Sequence, residues 1–249
     1  MASDTYRWLA RYYDHLFEFR RPFAEAREII LGPLLPRISS ACDLCCGTGG
    51  LALSFASQGV RVFAVDLSPE MCRITRGKAR ALRLPLKVIC ADMRTFQLPE
   101  PVDLVTCEFD ALNHVPRKSD LARVLKSVAA ALNPGGHFVF DVNNRLAFET
   151  AWANTWFVDK DPVAIVMHSG HKPGADKAWC DVEWFVRQGK LWRRHREHVE
   201  EVCWTPAEII QALHNAGFDR LKTWDAAPFF NDELTKPGCR TFWRARKRP

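Results

Sequence analysis

The sequence predicts an α/β protein built on a doubly wound, mainly parallel sheet that carries an antiparallel strand insertion. Three observations carry this expectation. Strand-like apolar runs alternate strictly with helix-like segments from residue 41 to residue 143. A glycine turn, Gly47-Thr48-Gly49-Gly50, joins the first run to the first helix of that series, and the next run ends in an acid, Asp66. Beyond about residue 154 the alternation stops and period-two strand patterns take over.

The elements follow in order. Trp8, Leu9, Tyr12, Tyr13, Leu16 and Phe17 recur at helical spacing over 6–19. A second helix starts near Pro22, a residue suited to a first turn, and ends before Pro36. A buried strand at 41–46 then meets the glycine turn, helix 50–58 and strand 60–66. Ser68 caps the next helix, with Pro69 at its first position. Strand 86–91 stops at Asp92 and strand 102–108 stops at Glu108. A helix from about 119 to Leu132 is halted by Asn133-Pro134-Gly135-Gly136, and strand 137–143 follows. Residues 162–204 hold three candidate strands, in which Val182, Trp184 and Val186 alternate with Asp181, Glu183, Phe185 and Arg187. Thr205-Pro206-Ala207-Glu208 is a capping box for helix 206–216, which Gly217 ends. Strands 218–225 and 239–245 complete the sheet.

Right-handed crossovers place all the parallel strand C-termini on one edge, where ligands bind. Asp66, Asp92 and Glu108 each fall at such an end. The glycines let backbone approach a ligand closely, and the following helix offers it free N–H groups. The acid closing the second strand can accept hydrogen bonds from two ribose hydroxyls. This is the layout of a nucleotide-binding βαβ unit, which by itself does not choose among nucleotides.

Composition sets the bounds. A chain of 249 residues suits one domain spanning 1–249, with the 1–38 helices over the site and 154–204 as an insertion and lid. Apolar and charged fractions of 47% and 26% are those of a soluble globular protein. No apolar run reaches membrane-spanning length, and the charged N-terminus lacks a signal region, so a cytoplasmic location without membrane contact is expected. The nine cysteines are an odd number, and Cys42, Cys45, Cys90 and Cys107 fall in predicted buried strands, so no disulfide framework is expected. Cys42-x-x-Cys45 has no second pair at ligand spacing, so no metal site is expected. The net charge of +6 sits largely in Arg193, Arg194, Arg196 and the tail Arg244, Arg246, Lys247, Arg248. Glu197, Glu200 and Glu201 flank the arginine run, which argues against a nucleic-acid partner and leaves room for an anionic small substrate.

Four motifs in order resemble those of class I S-adenosylmethionine-dependent methyltransferases, in the small-molecule branch. They are Asp43-Leu44-Cys45-Cys46-Gly47-Thr48-Gly49, Val65-Asp66-Leu67-Ser68-Pro69-Glu70-Met71, Ala91-Asp92-Met93-Arg94 and Leu132-Asn133-Pro134-Gly135-Gly136. The Tyr-Asp-His-Leu-Phe run at 13–17 also recurs near the N-terminus of such enzymes. The departure is Cys45, where many members carry glycine. The resemblance implies a Rossmann-like seven-stranded sheet and S-adenosyl-L-methionine as cofactor. It implies that Asp43 and the Gly47 backbone hold the methionine end, Asp66 the ribose, and Asp92 the adenine amino group with Met93 beside the ring. The Glu108 backbone would lie near the sulfonium, and Cys45, Thr48, Gly49, Leu67, Met71 and Phe109 would complete the cofactor set.

The Phe109–Val115 loop looks like that of aminosugar N-methyltransferases, which use a loop histidine and an N-terminal tyrosine. That resemblance implies His114 as base and Tyr13 as its partner, with Tyr6 and Tyr12 as rivals for substrate contact. Asn113 and Trp152 are further candidates to touch the acceptor. His168, His171, His195 and His198 read as surface strand residues, with reach of one of them into the pocket as the alternative, and six of the nine tryptophans fall between 152 and 204, where they would roof the pocket or pack the insertion. A homodimer contact through the insertion is left open. O-methylation of a small molecule and a non-catalytic binding protein stay as alternatives. A dehydrogenase would show Gly-x-Gly-x-x-Gly after the strand, where this chain ends the pattern in Ala52. Cys107-Glu108-Phe109-Asp110 carries neither the Asp/Asn-Pro-Pro-aromatic run nor the Pro-Cys pair of DNA methyltransferases.

Overall fold

The computed structural model describes residues 7–16, 20–150, 152, 154–230 and 236–249. Helices α1 (Arg7–Leu16) and α2 (Arg20–Ile30) lead the chain. Strands β1 (Ser40–Leu44), β2 (Arg61–Asp66), β3 (Leu86–Cys90) and β4 (Val102–Cys107) follow, with α3 (Gly50–Ser57) and α4 (Pro69–Ala81) in the first two crossovers. Helix α5 (Lys118–Ala131) runs into β5 (Leu132–Asn143), and a short α6 (Arg145–Thr150) precedes the insertion strands β6 (Thr155–Lys160), β7 (Val163–His171), β8 (Lys177–Gln188) and β9 (Leu191–Val202). Helix α7 (Pro206–Asn215), β10 (Phe218–Asp225) and β11 (Arg240–Lys247) close the chain.

The main sheet has seven strands in the order β10-β11-β5-β4-β1-β2-β3. Strands β1 to β5 are parallel, and β11 enters antiparallel between β10 and β5. The strand order reverses at β1 and β4, so the crevice beyond their C-termini is the switch point. Strand β1 is buried at every position because both faces are covered. Ala41 faces the layer of α2 and α3, with Phe23, Ile30, Leu51 and Phe55, while Cys42 and Leu44 face the layer of α5 and α7, with Val124, Leu125, Ile209 and Leu213.

Local chemistry sets the element ends. The Ser68 hydroxyl accepts from the Met71 N–H at the start of α4. The capping box of α7 is complete, with Thr205 Oγ1 accepting from Glu208 N–H and Glu208 Oε2 from Thr205 N–H. Strand β1 ends at Leu44, two residues short of expectation, because Cys45 turns the backbone to φ 58°. The Asn-Pro-Gly-Gly turn lies inside the irregular start of β5, where Leu132 pairs with Val102 and the register then shifts so that His137 pairs with Leu104.

The insertion holds four strands rather than three, in a separate antiparallel sheet of order β6-β7-β8-β9. Strand β6 alternates only exposed and half-buried positions, and α6 is too short to show a period, so neither stood out in the sequence. Val163, Ile165, Trp184 and Val186 pack on Leu16 of α1, tying the insertion to the N-terminal helix. Cys90, expected inside the core, is exposed on the edge strand β3. No described helix is long and apolar enough to cross a membrane.

Candidate active site

A cleft of about 1160 Å³ opens beyond the C-terminal ends of β1, β2 and β4, under α1 and α2. Its floor begins with the glycine turn. Cys45, Gly47 and Gly49 take φ of 58°, 54° and 84°, which reverses the chain at the cleft floor. A Cβ on Gly47 would meet nothing within 4 Å, whereas one on Gly49 would lie 2.5 Å from Thr75 Cγ2. Gly47 therefore leaves room for a ligand, and Gly49 lets the turn pack on α4.

Asp66 Oδ2 accepts the Gly47 N–H at 2.8 Å and Oδ1 accepts the Ser68 N–H at 2.8 Å. Burial raises its pKa, and these N–H donors oppose the rise. Each oxygen keeps acceptor capacity, so the braced carboxylate can still take hydroxyl donors. Cys45 Sγ and Met93 Sδ lie 3.8 Å apart, and Leu67, Met71 and Ala91 add further apolar wall. Asp92 also reaches the cleft, but Arg94 grips its carboxylate through Nε and Nη2, at 2.5 Å for the latter, and these bonds lower its pKa.

The side of the cleft at the ends of β1 and β4 is charged. Asp43 is only 4% exposed, and its oxygens accept from Thr106 Oγ1 at 2.9 Å and Ala52 N–H at 3.2 Å. Burial, reinforced by Glu108, pushes its carboxyl up to about 7. Arg27 of α2 forks onto the Glu108 carboxylate, with Nε at 3.0 Å and Nη2 at 2.5 Å. Phe109 and Asp110 then adopt φ of 61° and 49°. That strained pair is held because both N–H groups donate to Asp141, at 2.7 and 3.0 Å. Arg240 of β11 locks the corner by donating to Asp110, Asp141 and Asn143.

His114 sits at the far end of this corner. Its Nε2 is 3.8 Å from Glu201 Oε1, and ligating atoms of Asp110, His114 and Glu201 all lie within 4.8 Å of one another. Burial lowers the His114 pKa, with Asp110 and the Glu200 backbone opposing it more weakly, so the imidazole is neutral near pH 7. Burial and then Asp110 push the Glu201 carboxyl well above its usual range. Burial also keeps the Tyr13 phenol neutral at the cleft wall. Asp43, Glu108, Asp110, Asp141 and Glu201 thus face the two guanidiniums of Arg27 and Arg240. This excess of carboxyls favours a cationic ligand, and Arg240 beside Asp110 favours an organic ammonium over a bare divalent ion.

The comparisons with known proteins agree with this geometry. Residues 41–136 match the family described as Methyltransferase domain. The crystal structure of an S-adenosylmethionine-dependent methyltransferase from Clostridium acetobutylicum ATCC 824 shares the fold, with a TM-score of 0.76 at 24% identity over 91% of this chain and 98% of that one. Residues 41–136 carry a methyltransferase domain. YqeM of Bacillus subtilis (strain 168) is 28% identical over 244 residues, 97% of each chain. The dTDP-4-amino-2,3,4,6-tetradeoxy-D-glucose N,N-dimethyltransferase of Saccharopolyspora spinosa is 30% identical over 151 residues, 60% of this chain and 56% of that protein. The cleft suits the cofactor, since it offers open space at Gly47, spare acceptors on Asp66 and a carboxyl excess toward a sulfonium and an ammonium.

The methyltransferase cleft gathers most of the expected residues. Tyr13, Asp43, Cys45, Gly47, Thr48, Asp66, Leu67, Met71, Asp92, Met93, Glu108, Phe109 and His114 line it. Gly49 lies beneath it against α4. Three acceptor candidates are corrected. Asn113 is fully buried, with its amide bonded to the Asn143 and Val202 carbonyls and the Asn143 N–H, so it pins the loop to β5 and β9. Tyr12 packs with the insertion core, and Trp152 stacks edge-on against Phe148 at 5.2 Å. Tyr6 lies outside the described residues. Among the described residues no tryptophan lines the cleft; β9 contributes His198, Val199 and Glu200 instead, so His198 is the insertion histidine that borders it. Sequence reasoning missed Arg27, Asp110, Asp141, Glu201 and Arg240, which come from elements far apart in the chain.

Proposed function

We propose that this chain transfers the methyl group of S-adenosylmethionine to an amine nitrogen of a small molecule, with His114 as base. The observation that supports nitrogen over oxygen is the acidic corner at the acceptor end, where Asp110 and Glu201 flank a neutral His114. An amine arrives as an ammonium, and a corner with surplus carboxyl groups attracts it, whereas a neutral hydroxyl gains little there. The N-methyl role printed for the Saccharopolyspora spinosa relative points the same way.

When bound, S-adenosylmethionine supplies a methyl group activated by its sulfonium. Asp110 holds the ammonium at the cleft wall, and Glu201, buried beside His114, adds acidic character behind it. His114 takes one N–H proton, which frees the nitrogen lone pair for bonding to the methyl carbon. Tyr13, neutral and close to Asp110, orients the acceptor by hydrogen bonding. The α1 helix and β9 cover the cleft, excluding water, and the alignment they impose supplies much of the rate. Asp66, the Gly47 backbone and the Asp43–Glu108–Arg27 group hold the cofactor. In this reading the whole chain works as one unit in the cytoplasm.

The test uses an amine panel and matched hydroxyl compounds with labelled cofactor. Glu201→Gln is expected to raise KM for the amine by about tenfold or more, because an arriving ammonium favours the ionised form of this buried carboxyl and the variant has no such charge to offer, while cofactor affinity by calorimetry stays unchanged. An unchanged KM, or transfer to hydroxyl compounds alone, would overturn the amine reading.

A further inference from the structure

A second cavity, of about 580 Å³, lies on the opposite edge of the main sheet, where β4 and β5 begin and β11 ends. It does not touch the methyl-transfer cleft. Arg37, from the linker after α2, faces Arg220 and Lys222 of β10 and Arg244 and Arg246 of β11 across it, with His137 of β5 at the base. Among the described residues none of the five cations makes an ion pair. The one acid on the wall, Asp103, is already saturated. Its Oδ2 accepts from the backbone and hydroxyl groups of Ser39 and Ser40, and its Oδ1 from Asn133 Nδ2. Burial works against ionisation there, but those donors hold its carboxyl down at about 2, so it stays a spent anion.

The strand register puts like charges together. Lys222 pairs directly with Arg244, and Arg246 pairs with His137. Arg244 and Arg246, two residues apart, share one face of β11. Like charges directly opposite one another destabilise a sheet; the one acid in this register, Asp219 across from Arg246, makes no ion pair with it among the described residues and leaves the cations in excess. The guanidiniums are nevertheless fixed in place. Arg244 Nη1 donates to the Ile30 carbonyl at 2.9 Å and its guanidinium stacks on Trp224 at 5.2 Å, while Arg246 Nε donates to the Gly135 carbonyl at 3.1 Å. Gly135, at φ +77°, has room for this only because it lacks a side chain: a Cβ would lie 3.0 Å from Arg246 Nη2. Arg220 sits in the β10 bulge at φ 47°, a conformation that costs a non-glycine residue energy and aims it at the cavity. His137 Nδ1 is buried without a hydrogen-bond partner. Burial, then the nearby charges of Arg244 and Arg246, lower its pKa, and burial alone lowers that of Arg244.

We propose that this cavity is an anion site for a small polyphosphate-bearing ligand, separate from the methyl-transfer cleft. Clustered guanidinium forks suit phosphate oxygens, and five cations around one spent acid call for several negative charges on the ligand. The enclosed volume is that of a small-molecule site rather than an open track for a chain. The turn Asn133-Pro134-Gly135-Gly136, which methyl transfer does not use, gains a role as the cradle of Arg246.

Titration of the full chain with inorganic tripolyphosphate, in saturating adenosylhomocysteine at low ionic strength, tests this. Saturable calorimetric binding is expected. The double variant Arg37→Gln/Lys222→Gln should weaken it about tenfold or more, with adenosylhomocysteine affinity unchanged. Both side chains lack an ion pair to lose, and Lys222→Gln alone, with an intermediate loss, provides a milder check on folding. In the wild type, amide shifts on titration should gather at 133–137 and 220–222. No saturable binding, equal binding by the variants, or tighter binding of a short single-stranded RNA than of tripolyphosphate would overturn the proposal.

Discussion

Two carboxyls with opposite surroundings set the behaviour of single residues in the cleft. Asp66 is braced by two backbone N–H groups and keeps acceptor capacity, and in the proposed reading it binds the cofactor ribose. Asp66→Ala is expected to weaken cofactor binding by well over about tenfold, since it removes charge-assisted bonds to two hydroxyls; calorimetry checks this. Asp43 is instead a buried group whose ionisation burial resists, and its bonds to Ala52 and Thr106 tie the glycine turn to the sheet. His114 is held below the ordinary histidine range by burial. The acidic limb of kcat/KM is therefore expected below about pH 6.5, the unperturbed value, and His114→Ala should lower turnover without changing cofactor affinity. A pH profile and a binding isotherm on the same variant decide it. At this scale the sequence was legible where a residue's partners are close in the chain. Gly47, Asp66 and Ser68 belong to one βαβ unit and could be read together. Tyr12 and Tyr13 could not be ranked, because neighbouring helix positions point in different directions; one faces the insertion core and the other the cleft.

Helix α1 acts as a strap over the glycine turn. Asp14 accepts from Thr48 Oγ1 at 2.9 Å and from Lys78 Nζ at 2.5 Å, and Lys78 also donates to the Thr48 carbonyl. Leu16 meanwhile anchors the same helix to the insertion sheet. Asp14→Ala is expected to speed release of adenosylhomocysteine severalfold in stopped-flow measurements while lowering the thermal midpoint only slightly, because the Lys78–Asp14 pair is partly open to water, with side chains 28% and 37% exposed. The capping signals at Ser68 and Thr205 and the strand–helix alternation were legible because they are local. Arg27, Asp141, Glu201 and Arg240 were not, since β5, β9, β11 and α2 meet only through the antiparallel entry of β11 and the fold-back of the insertion. A polar loop residue such as Asn113 read equally well as substrate contact or as buried pin, and only its burial separates the two.

Across the whole molecule the carboxyl surplus couples stability to pH. Asp43 and Asp141 are both pushed up to about 7 when folded, chiefly by burial. Between about pH 4, the unfolded carboxyl range, and pH 7 the folded chain therefore binds more protons than the unfolded one. The stability these groups contribute is complete at the acid end of that window and is lost as pH rises through it. The lowered values at His114 and His137 act in the opposite sense, so the informative quantity is a difference. Asp43→Asn should gain stability relative to the ligand-free wild type as pH rises from about 4 to about 7, measured by urea unfolding at several pH values; a constant difference would contradict the assignment. A cationic cofactor and a cationic acceptor both relieve the same surplus, which joins the stability of the fold to the proposed chemistry.

The most direct measurement of that chemistry is the carbon spectrum of the product formed from cofactor labelled with ¹³C in its methyl group and an aminosugar that also carries free hydroxyls. A new N-methyl resonance that grows with wild-type protein and is strongly reduced with His114→Ala is the predicted result. An O-methyl resonance in its place, or no transfer while the cofactor still binds, would contradict the account.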